Sequence, residues 1–165
     1  AMETLLQAGR VRAIGVCNFL PDRLVDLILT HSVVPAVNQI ELHPFCQQQA
    51  LRQVMAAYHI QPMAWAPFAE GQGNLFHHPV LSAIGQAHGK TPAQVVLRWL
   101  RQEGIVAIPK SVHPQRIREN WDIEDFTLSP GELTQIRALD QNRSWILDVP
   151  NLTEVYRLHN IPVSQ

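Results

Sequence analysis

Two cations and the start of a helix fall close together in the stretch Ile105 to Asn120, IVAIPKSVHPQRIREN. Ile105 to Ile108 is a short apolar run rich in β-branched residues, the pattern of a buried parallel strand. Pro109 closes it, because proline has no N–H to give to a central ladder. Ser111 and His113-Pro114 then open a helix, with Pro114 at a first helical position. On that helix Arg116, Glu119 and Asn120 share one face, at spacings of three and four. Lys110 at the strand's carboxyl end and Arg116 in the first turn therefore flank a row of unpaired backbone N–H groups, an arrangement suited to an anion. Phosphate is the anion that fits best, since Arg offers a planar fork and Lys a point charge. The competing reading is a buried strand and a capped surface helix whose charges are merely solvated.

Three other strand ends carry side chains able to meet a ligand. Asn18 and Gln39 are carboxamides, each with donor and acceptor atoms that can pair with another amide. Trp65 offers a flat face for stacking a ring. Together with the phosphate-suited loop they outline a dinucleotide groove, amide at one end and phosphate at the other. Taken singly, Asn18 and Gln39 read as caps of strand ends and Trp65 as core.

The elements that must position these residues alternate. AMETLLQAG reads as a helix closed by Gly9 and lacking a cap before it, which points to truncation. Strands are predicted at Val11 to Cys17, Ala36 to Ile40, Pro62 to Ala66 and Val106 to Ile108. Helices are predicted from Pro21, around Leu51 to Tyr58, at Val80 to Ala87, at Pro92 to Gln102 after the N-cap residue Thr91, and at Pro114 to Trp121. A last helix starts at the capping-box sequence Ser129-Pro130-Gly131-Glu132 and ends near Asp140. Strands alternating with helices mean βαβ units and a parallel sheet, with chemistry at the strands' carboxyl ends. A closed (β/α)₈ barrel typically takes about 250 residues; this chain has 165. It is therefore a small open α/β sheet or half of a barrel, spanning residues 1–140, followed by a loop-like extension over residues 141–165.

Composition excludes several classes. A net charge of −1 with mixed signs argues against a nucleic-acid-binding protein. No apolar run reaches the ~18 residues of a membrane span, and no basic-then-apolar leader opens the chain. Cys17 and Cys46 lack CxxC spacing and read as reduced thiols of a cytoplasmic protein. His77-His78, without Cys or Asp nearby, is a weak metal signal, so no metal site is expected.

Four motifs, in order, carry a resemblance: IGVCNF (Ile14 to Phe19), VNQIELHP (Val37 to Pro44), GKTPAQVVLRW (Gly89 to Trp99) and IPKSVHPQRIREN (Ile108 to Asn120). The chain resembles the aldo-keto reductases, and among them the bacterial 2,5-diketo-gluconate reductase-like members, over strands five to eight of that family's barrel. The resemblance implies an α/β fold that is half of a TIM barrel, and NADPH as cofactor. Matched positions imply that Asn18 and Gln39 hold the nicotinamide carboxamide and that Trp65 stacks on the nicotinamide, where many members have Tyr. They imply Lys110, Ser111, Val112, His113 and Arg116 for the adenosine 2′-phosphate, and Glu119 and Asn120 for the adenine. Cys17, where Ser is commoner, and Ala66 and Phe68 in the following loop depart from the pattern.

The family's catalytic Asp, Tyr, Lys and His come before its fifth strand and have no match here. The only tyrosines are Tyr58 and Tyr156, and the only lysines Lys90 and Lys110, so no Tyr–Lys proton donor is available. His43 follows a strand end and is expected to lack a carboxylate to orient it. A half barrel also leaves two strand edges and an inward apolar face open, so the chain is expected to self-associate as a homo-oligomer, a dimer of half barrels, or to rearrange. Three roles stand: a binding module inactive alone, a carbonyl reductase when another chain supplies the missing half, and a fragment of a longer protein.

Overall fold

The computed structural model describes residues 1–148 and 150–161. Helix α1 (Met2–Gln7) precedes strand β1 (Gly15–Cys17), then α2 (Pro21–Thr30), β2 (Val37–Glu41), α3 (Gln49–Ala57) and β3 (Gln61–Trp65). A run of 3-10 turns (Ala69–His77) leads into α4 (Pro79–His88), α5 (Pro92–Gln102), β4 (Val106–Ala107), α6 (Pro114–Trp121), α7 (Pro130–Arg137) and α8 (Leu152–His159). The four strands form one parallel sheet in the order β1-β2-β3-β4.

Sequence chemistry accounts for the element starts. Proline stands in the first turn of α2, α4, α5, α6 and α7, where its missing N–H costs nothing. Thr91 with Gln94 and Ser129 with Glu132 form the two capping boxes. α4 closes at Gly89, left-handed at φ +64°, a conformation glycine adopts without strain.

The two faces of the sheet differ. Ile40 and Ala64 point into the core beneath α3, α4 and α5, with Leu51, Met55, Leu81, Val95, Val96, Trp99 and Leu100. The opposite face carries the row Cys17, Gln39, Met63 and Val106, placed side by side by the ladder register. On this face Cys17 is exposed and Val106 is 42% exposed.

Two expectations need correction. β1 begins at Gly15 rather than Val11, because the ladder of β2 starts opposite Gly15 at Val37. Residues 141–165 are not simply loop-like: Asn151 caps α8 by accepting from the Thr153 N–H at 2.9 Å. The last four residues of that extension, 162–165, lie outside the described residues.

Candidate functional site

The loop after β4 and the first turns of α6 form one wall of a cavity of about 540 Å³, lined by Lys110, Ser111, Val112, His113, Arg116, Glu119 and Asn120. Seven of the ten site residues expected from sequence meet there. The Ser111 hydroxyl accepts the His113 N–H at 3.1 Å, which sets the turn into the helix. Among the described residues no side chain caps α6, which leaves its first-turn N–H groups open. Among the described residues neither Lys110 nor Arg116 has an ion-pair partner, whereas Lys90 is held by Asp122 at 2.9 Å and Asp125 at 2.8 Å. Gln115 Nε2 donates to Glu119 Oε1 at 2.9 Å and fixes that carboxylate on the same helix.

Of the facing wall, the resemblance singled out only Phe68, and spacing singled out none of it as part of this site. Phe68, Phe76 and His77 come from the turns after β3, and Thr91, Pro92 and Ala93 from the start of α5. The turns are held open by left-handed residues at Ala69, Glu70, Gly71, Gly73 and Asn74. Only the tertiary pairing of β3 with β4 brings these residues to Lys110, and no local spacing announces it.

Asn18 and Trp65 line a second cavity, of about 410 Å³, past the carboxyl ends of β1 and β3. The Trp65 indole N–H donates to Asn18 Oδ1 at 2.7 Å. Asn18 is left-handed at φ 58°, and its own N–H donates to the Gln39 carbonyl at 2.8 Å. Gln39 lines neither cavity; its side chain lies on the open face and donates from Nε2 to Met63 Sδ at 3.2 Å.

Glu41, the last residue of β2, is buried beside this second cavity and ties the C-terminal segment down. Its oxygens accept from the Ser144 hydroxyl at 2.5 Å and from the backbone N–H groups of Trp145, Ile146 and Leu147 at 2.7, 3.3 and 3.2 Å. His43 Nε2 lies 3.1 Å from the same carboxylate, so the histidine does have a carboxylate at hand, contrary to expectation. The Phe45 N–H donates to His43 Nδ1, which leaves Nε2 to carry the proton given to Glu41. His43 is fully buried and positions the corner after β2. Burial pushes the Glu41 carboxyl up, but the hydrogen bonds from His43, Ser144, Trp145 and Leu147 outweigh it and hold it below its ordinary value. Burial, with the nearby charges of Glu41 and Asp140, pushes the Cys46 thiol up to about 12, so it is inert. Among the described residues no group of three or more His, Cys, Asp or Glu could hold a metal ion, and no helix is long and apolar enough to cross a membrane.

A parallel α/β sheet with a basic, N–H-rich pocket past its last strand is an arrangement whose donors suit an anion at the strand ends. Residues 1–141 match the family model described as the aldo/keto reductase family, and the chain belongs to that family. It is 50% identical over 143 residues to an aldo-keto reductase of Mycolicibacterium smegmatis, covering 87% of this chain and 51% of that protein. It is 45% identical over 142 residues to the methylglyoxal reductase DkgA of Escherichia coli (strain K12), covering 86% of this chain and 52% of that protein. A crystal structure of a Gox0644 mutant in complex with NADPH superposes with a TM-score of 0.83 at 40% identity, covering 88% of this chain and 54% of that one. The chain thus spans about half the length of the relatives it matches.

Proposed function

We propose that this chain is the nucleotide-holding half of an NADPH-dependent aldehyde or ketone reductase, and that alone it binds NADP(H) without reducing a carbonyl. The observation that carries this reading is the cavity in which, among the described residues, Lys110 and Arg116 stand without ion-pair partners beside a helix start that no described side chain caps. That donor set fits a phosphate monoester, and a structure of similar fold was solved with NADPH. Lys110, Ser111, Val112, His113 and Arg116 would hold the 2′-phosphate, and Glu119 and Asn120 the adenine. Asn18 and Gln39 would hold the carboxamide of a nicotinamide stacked on Trp65. When bound, the cofactor supplies a hydride; the chain's own residues bind it, orient it and keep water from one side.

Among the described residues no Tyr–Lys pair lines either cavity to give the carbonyl oxygen its proton. Tyr58 ends α3 and Tyr156 lies on α8; neither lines either cavity, and Lys90 is paired with Asp122 and Asp125. In this reading a complementary half supplies the proton donor. The open face and free edges of the sheet are where it, or a second copy of this chain, would seat.

Calorimetric titration tests the binding step. NADPH should bind at least about tenfold tighter than NADH, and Arg116→Ala should erase most of that difference, as expected for losing one charge-assisted phosphate contact. Failure to bind NADPH at near-millimolar concentration sinks the proposal. For the completed enzyme, mixing with the first half of the Mycolicibacterium smegmatis relative should restore NADPH oxidation in the presence of an aldehyde; an inactive mixture removes that role.

A further inference from the structure

An indole N–H only donates, so the atom of Asn18 that meets Trp65 Nε1 at 2.7 Å is the amide oxygen. The left-handed backbone of Asn18, bonded through its N–H to the Gln39 carbonyl, fixes where that side chain starts. Its Nδ2 is left with no partner among the described residues. Gln39 is set the other way round. Its Nε2 donates to the Met63 thioether, an acceptor, at 3.2 Å, while its Oε1 faces only the Cys17 thiol, a weak donor at 3.9 Å. Two carboxamides at neighbouring strand ends, joined by the Asn18 N–H to Gln39 carbonyl bond, therefore present opposite polarity: two N–H donors from Asn18 at the second cavity and one carbonyl acceptor from Gln39 on the open face beside it.

We infer that Trp65 and Met63 are positioning residues that lock Asn18 as a donor and Gln39 as an acceptor, so that this end of the groove takes a primary carboxamide and rejects a carboxylate or a methyl ketone of the same shape. The inference rests on the proposed binding of a nicotinamide nucleotide and adds which side chains set its selectivity. A primary amide matches the pair, its carbonyl accepting from Asn18 and its N–H donating to Gln39. A carboxylate puts a negative oxygen against Gln39 Oε1. A methyl ketone leaves that oxygen without a donor, and an unmet polar contact in a partly buried site lowers affinity severalfold.

The test titrates the chain calorimetrically with NADP⁺, with its 3-acetylpyridine analogue (methyl in place of amino) and with its nicotinic acid analogue (carboxylate in place of amide). The wild type should prefer NADP⁺ by at least about tenfold over either. Trp65→Phe keeps a flat ring but has no N–H; Asn18 can then turn over, and the preference should shrink to about threefold or less. Met63→Leu should shrink it likewise by freeing Gln39, and it decides alone if Trp65→Phe does not fold. In both variants the preference for NADPH over NADH, set at Arg116, should persist, which a general loss of structure would not allow. Undiminished amide selectivity in the folded variants overturns the inference and leaves nucleotide binding standing. No binding of NADP⁺ by the wild type overturns both.

Discussion

Glu41 brings a negative charge to the end of β2 with 3% of its surface exposed, and a buried charge is tolerated only where donors surround it. Those donors come from Ser144, Trp145, Ile146 and Leu147, more than a hundred residues along the chain. The linkage follows from the direction of the shift. The folded carboxyl titrates below its ordinary value, so the unfolded chain takes up the proton first as pH falls. The stabilisation is therefore complete above about pH 4.5, the ordinary value, and is lost as the pH drops through the folded one. Glu41→Gln replaces one acceptor oxygen by a donor that faces other donors. It should cost about 2 kcal/mol at pH 7, or about 4–8 °C in Tm, and should flatten the acid limb of a plot of Tm against pH. An acid limb identical to the wild type's would show that the clamp contributes nothing to stability.

At the scale of elements, the turns between β3 and α4 depend on one close approach. A Cβ on Gly73 would lie 2.5 Å from the Trp145 ring and 2.9 Å from Phe45, whose rings stack at 4.8 Å, and the residue sits at φ +63°. Gly89 has nearly the same φ, +64°, with nothing within 4 Å. Gly89→Ala should therefore cost about 1 kcal/mol of backbone strain alone, and Gly73→Ala about 2–4 kcal/mol because the aromatic stack must also move. Equal losses in denaturant titrations would rule out the packing share. This contrast also marks what the sequence could disclose. The strand–helix alternation, the capping boxes at Thr91 and Ser129 and the face of Arg116, Glu119 and Asn120 are local, set by spacings of two to four residues, and they were legible. Six of the seven residues around Lys110 were legible as a group for the same reason, since one turn and one helix carry them, while Val112 entered only through the resemblance. The clamp on Glu41 and the Phe76–His77 wall depend on folding distant segments together, and no period encodes them; the His43–Glu41 contact joins residues only two apart and was hidden by the sharp corner between them. α8 was hidden differently, its short stretch of Leu152, Val155, Tyr156 and Leu158 resting on no core; Leu152 is 72% and Tyr156 68% exposed.

For the whole molecule, the sheet ends at β1 on one side and β4 on the other, and among the described residues neither outer edge is paired. Beside β4 the surface is apolar: Val106 is 42%, Ile108 50% and Trp121 87% exposed, and a cavity of about 640 Å³ runs past Val106, Ala107, Pro109 and Trp121. Unpaired parallel edges and a bare inner row favour closure by another copy, β4 of each against β1 of the other, which would give the eight parallel strands of a closed barrel. Light scattering on the chain at micromolar concentration should accordingly give the mass of two copies. Val106→Lys, placing a charge in the row with Met63 and Gln39, should shift the assembly to monomer. NADPH at a hundred times its Kd should add about 2.7 kcal/mol to the stability of whichever form binds it. If the dimer alone gains this, the groove needs the closed assembly; if the Val106→Lys monomer gains as much, one half-cylinder suffices. A wild-type chain that stays monomeric would mean that the bare row tolerates water, and the closure argument would fail with it.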